Sequence, residues 1–402
     1  MSVYPSRVPL ADVADRLKSV VGRVMQISDT TLGGNGAAYD VRFRGRLVVD
    51  SAEAYTEVAE GFQPHGFTPL FRRDGDSDVV YAAAGVLNPP PSKVWVNVLM
   101  FGLTVLSVLF TGATLQADAL PTSSNVVAYI LSGWPFAVSI LGILGTHELG
   151  HYFAARHHKV AVTLPYFIPF PLSYFGTMGA FIRLKAPPTN KRVLLDIGLA
   201  GPLAGLVVAI PVLVTGLLLS EVDTLPTVIA PQTQFMLEGN SILYLATKFL
   251  VFGELLPAPA SYGGVPPLLF WVRYFFLGTP APLGGHDVLL HPVAWAGWAG
   301  LLVTGLNLIP AGQLDGGHIM YVLLGKRAGR LLPLIIGALL LMGLLWSGWF
   351  FWAFLIYFLG RAHAEPLDQI TELDPTRRAL AILGMVIFAL VFTPIPLRIF
   401  GA

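Results

Sequence analysis

Leu144-Gly145-Thr146-His147-Glu148-Leu149-Gly150-His151 sets two imidazoles and a carboxylate at the end of an uncharged run that extends from Ala119 to Thr146. On a helix, side chains four residues apart stack on one face. His147 and His151 can therefore converge on one metal ion, with Glu148 beside them to accept a proton from water. Such groups are expensive in lipid unless they face the protein interior and have partners. A plainer reading of the same residues is two histidines and a glutamate hydrogen-bonded inside a helix bundle.

Outward from this stretch, the composition demands a membrane. Of 402 residues, 54% are hydrophobic and 12% charged, against roughly 25% charged in a soluble domain. Asp, Glu, Lys and Arg are also absent from Val94 to Ala117, from Val288 to Leu314 and from Leu331 to Gly360. Each run exceeds the roughly 20 apolar residues that cross a bilayer. Cysteine is absent, which excludes a disulfide framework and any thiolate ligand or nucleophile. A metal must rest on histidine and carboxylate. The net charge is +1 without a long basic block, so nucleic acid is not an expected partner.

The chain divides into a soluble α+β domain (1–87), a Pro-rich linker (88–93) around Asn88-Pro89-Pro90-Pro91, and a transmembrane domain (94–402). In the first part, Leu10 to Val21 reads as a polar helix and Tyr39 to Val49 alternates as a strand. Asp50 and Ser51 offer caps to a helix ending near Phe62, and Phe67 to Arg72 with Val79 to Ala84 reads as a hairpin. The first residues carry Asp12 and Asp15 and no secretory apolar run, so the chain is expected to begin on the side where it is made. Basic residues Arg156, Lys159, Arg183, Lys185, Lys191 and Arg192 follow HELGH. The positive-inside bias then places them and the amino-terminal domain on the cytoplasmic side of the membrane. The fold class is a polytopic α-helical membrane protein with about seven transmembrane helices. Leu331 to Gly360 supplies two short spans broken at Ser347-Gly348, and segments 241–256 and 268–277, with Lys248 and Arg273, read as outer or re-entrant helices.

A catalytic zinc site needs three protein ligands and an open position. His157 occupies the last position of the metzincin pattern H-E-x-x-H-x-x-G-x-x-H, but Ala154 stands where that pattern requires glycine. A continuous helix turns His157 about 120° from His151. The other candidate is Asp315, in Asn307-Leu308-Ile309-Pro310-Ala311-Gly312-Gln313-Leu314-Asp315-Gly316-Gly317-His318. It follows the fourth span at the depth expected of HELGH, where Pro and Gly open the helix. Its alternative role is to cap the helix from His318 to Leu324.

HELGH in a hydrophobic span with a later N-x-x-P-x-x-x-L-D-G-G resembles the site-2 protease family of intramembrane metalloproteases. The resemblance extends through Ala200-Gly201-Pro202-Leu203-Ala204-Gly205, Gly176 to Ala180 and His291 to Trp298. With the soluble amino-terminal domain, it is most similar to the bacterial and plastid branch. The resemblance implies zinc held by His147, His151 and Asp315, Glu148 as the base, and Asn307 contacting substrate or the developing oxyanion. It also implies a transmembrane protein substrate, cleaved within or near the lipid bilayer. Such a substrate is helical and must unwind, and Leu164 to Leu184 is the candidate edge strand or gate that would hold it. Gly201 and Gly205 read as close helix packing. A metal transporter would spread ionisable residues over several depths, and an inactive membrane scaffold would be expected to lose Glu148.

Overall fold

The computed structural model describes residues 10–34, 39–116, 125–228, 235–360 and 365–400. The amino-terminal part contains α1 (Leu10–Val21), β1 (Met25–Leu32), β2 (Val41–Leu47), α2 (Ser51–Phe62), β3 (Phe67–Asp74) and β4 (Ser77–Ala84). The strands form an antiparallel sheet in the order β1-β2-β4-β3. Val41 and Phe43 point inward from β2 and meet Leu17 and Val21 of α1 and Val58 and Phe62 of α2. Asp50 caps α2 by accepting the Ala52 amide. Strand β1 escaped the sequence reading because it is a polar edge strand in which only Met25 is buried. Without a buried row there is no alternation to see.

The remaining chain begins with α3 (Val94–Thr114), α4 (Val126–Ser132), α5 (Trp134–His157), the hairpin β5 (Tyr166–Pro169) and β6 (Thr177–Phe181), and α6 (Lys191–Leu218). Next come β7 (Glu221–Thr224), β8 (Phe235–Glu238), α7 (Ile242–Phe252), α8 (Pro267–Leu277), β9 (His286–Leu289) and α9 (Pro292–Asn307). It ends with α10 (Asp315–Leu324), α11 (Leu332–Gly343), α12 (Gly348–Leu359), α13 (Pro375–Val391) and β10 (Leu397–Phe400).

Among the described residues, α3 and α6 are each long and apolar enough to cross a membrane, and α4 with α5 forms a third such unit bent by 47°. The expected count of about seven is not reached by helix length alone. Helices α9 and α13 have 16 and 17 residues, and α11 and α12 have 12 each. At 1.5 Å per residue a 12-residue helix covers about 18 Å of a core roughly 30 Å thick. The cause lies in the residues that open these runs, Ser347-Gly348 in one and Pro310 beyond Asn307 in the other. Helices α7 and α8, with 11 residues each, are also too short to cross.

Helices α5, α6 and α9 form the centre. Phe136, Ile140 and Ile143 of α5 pack with Leu213 of α6 and Trp298 of α9. Small residues permit the approach: a Cβ on Gly297 would lie 2.5 Å from the Leu213 backbone, and one on Gly150 2.6 Å from the Ala200 carbonyl. Large apolar side chains such as Phe101, Leu106, Val138, Phe153, Val207 and Phe354 point outward and are exposed. This is the reverse of a soluble surface and fits lipid as the surroundings. At the end of α9 away from Asn307, β7 pairs with β9 and β8 with β10. There Lys248 is fully buried, 3.6 Å from Glu238 and 3.7 Å from Asp287.

Candidate metal centre

Helix α5 turns His147, Glu148 and His151 inward, and all three are buried. Asp315 opens α10 just after the irregular segment that follows α9. Leu314, not Asp315, holds the N-cap position of that helix, and the Asp315 carboxylate faces the two imidazoles. The Nε2 atoms of His147 and His151 lie 3.2 Å apart. Asp315 Oδ2 stands 3.4 Å from the first and 3.3 Å from the second. Ligands about 2.0–2.1 Å from a tetrahedral zinc are separated by about 3.3 Å, so the three donors already have the spacing that ion imposes.

His151 Nδ1 lies 2.7 Å from the carbonyl oxygen of Ile197. A carbonyl can only accept, so the proton sits on Nδ1 and the lone pair of Nε2 faces Asp315 and His147. A backbone carbonyl behind the ring is the usual support of a metal-binding histidine. Two ring nitrogens and a carboxylate oxygen this close repel one another unless a cation or a proton lies among them. His147, His151 and Asp315 form the one such group among the described residues. His157, at the exposed end of α5, lies outside it. Asn307, the last residue of α9, brings Nδ2 to 3.3 Å from His147 Nε2.

Helix α6 makes room for the imidazoles. A Cβ on Gly201 would stand 2.1 Å from His151 Nε2, and one on Gly205 3.1 Å from His147 Nδ1. These glycines are close-packing positions, as read from sequence, and what they admit is the two imidazoles of α5. The signal was their spacing: 201 and 205 are four apart, like 147 and 151.

The cluster opens into a cavity of about 200 Å³ lined by Glu148, Phe181, Asn307, Gln313 and His318, among others. One wall is the β5–β6 hairpin, within the segment singled out as strand or gate. The backbone amide of Ile182, just past β6, faces the Glu148 carboxylate. Helix α3 grips the hairpin at both ends. Asn97 Nδ2 donates to Leu164 and Pro165 carbonyls at 2.8 and 3.0 Å, and Ser107 Oγ to that of Gly176 at 2.5 Å. Gly176 has φ of 70° and rests against Val108 and Thr111, where a side chain would collide. Asn97 and Ser107 gave no sequence signal, because isolated polar residues in a span have many possible partners. Asp196, near the start of α6 and outside the cluster, pairs with Arg377 at 2.7 Å and His158 at 3.0 Å.

Residues 135–347, more than half of the chain, match Peptidase family M50, and the chain belongs to that family, as the site-2 protease resemblance implied. It is similar to proteins named probable zinc metalloprotease EGY2, chloroplastic. The Arabidopsis thaliana protein is 32% identical over 374 residues, covering 90% of this chain and 61% of that protein. The one from Oryza sativa subsp. indica is 28% identical over 367 residues, 89% and 62% of the two chains. The probable zinc metalloprotease EGY1, chloroplastic, of Arabidopsis thaliana is 28% identical over 334 residues, 77% and 55%. The chain thus spans about six tenths of the length of the EGY2 relatives. No solved structure matches it.

Proposed function

We propose that this chain is an intramembrane zinc metalloendopeptidase that hydrolyses peptide bonds of transmembrane protein substrates within or near the bilayer. The observation that carries this reading is the tetrahedral spacing of His147 Nε2, His151 Nε2 and Asp315 Oδ2 beside the carboxylate of Glu148. His147, His151 and Asp315 hold the metal. Bound zinc supplies a Lewis acid that polarises a carbonyl and acidifies water. Glu148 accepts the proton of the attacking water and returns it to the leaving nitrogen. Asn307 directs its amide into the same cavity, toward the oxygen on which negative charge develops. The outer edge of β6 pairs with the unwound substrate segment and aligns it with the cluster.

The proposal includes the architecture that serves this chemistry: a soluble domain over 1–87, a linker over 88–93, and a membrane domain of about seven spans in which short helices pair to cross. The cluster and the amino-terminal domain face the cytoplasm, on the basic side of a bacterial cytoplasmic membrane. A transporter path is disfavoured. The buried group of Glu238, Lys248 and Asp287 lies at the end of α9 opposite Asn307 and the candidate ligands, and the core of the α5–α6–α9 bundle is apolar. A scaffold role is disfavoured because Glu148 is present and faces the cavity. The test is metal content measured alongside cleavage of a panel of single-span substrates. Glu148→Gln should keep full zinc and lose cleavage, since the ligands stay and the base goes. Cleavage by that variant would remove Glu148 from its role.

A further inference from the structure

The segment that joins α12 to α13 is built into the amino-terminal domain. Strand β3 is an edge of its sheet, and residues 367–369 run parallel to it. Phe71 N donates to Leu367 O at 2.9 Å, and Gln369 N to Phe71 O at 3.1 Å. Leu367 and Ile370 enter that domain's apolar core. The other side of the same segment meets the start of α6. Asp368 N donates to Thr189 O at 2.7 Å, and Asp368 bridges to Asn190.

The side chain of Asp368 is fully buried between the two bodies. Its Oδ1 accepts Ser51 Oγ at 3.0 Å, Ile370 N at 2.7 Å and Thr371 N at 3.2 Å, and its Oδ2 accepts Thr371 Oγ1. Ser51 is the first residue of α2, so this carboxylate holds the amino-terminal domain directly. Asn190 is the N-cap of α6, accepting the Val193 amide at 3.0 Å. Two helical turns on is Ile197, whose carbonyl fixes His151. Arg192 adds two ties, to the Glu372 carbonyl at 2.9 Å and to Asp50 at 3.6 Å.

We propose that Asp368 is a positioning residue for the metal centre. It clamps the amino-terminal domain to the first turn of α6, and through that helix it sets the Ile197 carbonyl that orients His151. This rests on the zinc-site reading above. The amino-terminal domain is then a brace of the site, and its docking strand comes from the membrane domain itself.

The test compares Asp368→Ala, Asp368→Asn and Ser51→Ala in the full-length chain by amide hydrogen exchange, zinc affinity and substrate kinetics. Asp368→Ala should lose protection at 191–197 as well as at Phe71. It should bind zinc about tenfold more weakly and lower kcat with KM unchanged, as loss of an outer support to a metal ligand does. Asp368→Asn keeps the oxygen that accepts Ser51 and should restore all three readouts. If Asp368→Ala does not accumulate as folded protein, Ser51→Ala decides, with smaller changes of the same sign. Loss of protection at Phe71 with 191–197 and zinc affinity unchanged would overturn the proposal. Exchange and zinc affinity need no cleavage, so a wild-type chain that cleaves nothing would count against the protease reading alone.

Discussion

His151 shows how much one side chain depends on its neighbours. One ring nitrogen is fixed by Ile197, the other faces Asp315, and its place exists because Gly201 has no Cβ. That His147 and His151 share one face with Glu148 beside them was legible from HELGH, because i to i+4 spacing is local and survives any tertiary arrangement. The glycines opposite were legible as close packing, but not that the imidazoles lie against them, since a small residue in a span suits any helix contact. Gly201→Ala should displace the imidazole and lower zinc affinity and cleavage by up to about 100-fold, the upper range for disturbed support of a metal ligand. Gly142→Ala, on α5 with nothing near its Cβ position, should leave both intact and stabilise by up to about 1 kcal/mol. Equal effects of the two substitutions, measured by metal titration of purified protein, would contradict this account of α6.

Among the elements, the amphipathic α1 and α2 and the alternating β2 were legible because one face of each is buried and the pattern repeats. The apolar helices were legible as runs, and the break at Ser347-Gly348 with them, but the bend between α4 and α5 and most helix ends were not. An all-apolar run has no polar face from which to read where it bends. The pairing of β8 with β10, which brings residues 235–238 to 397–400, was equally hidden, since strands of four residues carry too little pattern. That pairing helps build the buried group around Glu238, whose Oε1 accepts Tyr244 Oη at 2.8 Å. Lys248 and Tyr244 from α7, Asp287 from β9, Tyr274 from α8 and Arg398 from β10 all lie around it. Burial, with Asp287 adding to it, pushes the Glu238 carboxyl up from 4.5 to about 7. Between these values the native chain holds a proton that the unfolded chain releases, so this group's contribution to stability falls as pH rises from 4.5 to about 7. Glu238→Gln should flatten that part of the melting-temperature profile and raise the melting temperature above pH 7. A variant with the wild-type slope would show that Glu238 does not titrate there.

At the scale of the whole molecule, the fold brings residue 315 to residues 147 and 151 across more than 160 positions of sequence. Helix α5 carries two donors toward one end of the α5–α6–α9 core, and α9 runs to the same end and delivers Asp315 one short loop later. Depth was legible: both motifs sit at the ends of apolar runs, so a common level followed from counting spans. Convergence to 3.2–3.4 Å was not, because it depends on the helix contacts that Gly150 and Gly201 permit and on the turn through Pro310 and Gly312. The docking of the amino-terminal domain was also hidden, since a single buried carboxylate late in the chain gives no sign of a partner near residue 51. The central claim is that these distant donors make one zinc site, and zinc stoichiometry of folded variants purified in detergent tests it most directly. Asp315→Ala should lose most of its zinc and all cleavage while His157→Ala keeps both. Full zinc in Asp315→Ala with loss in His157→Ala would contradict the account.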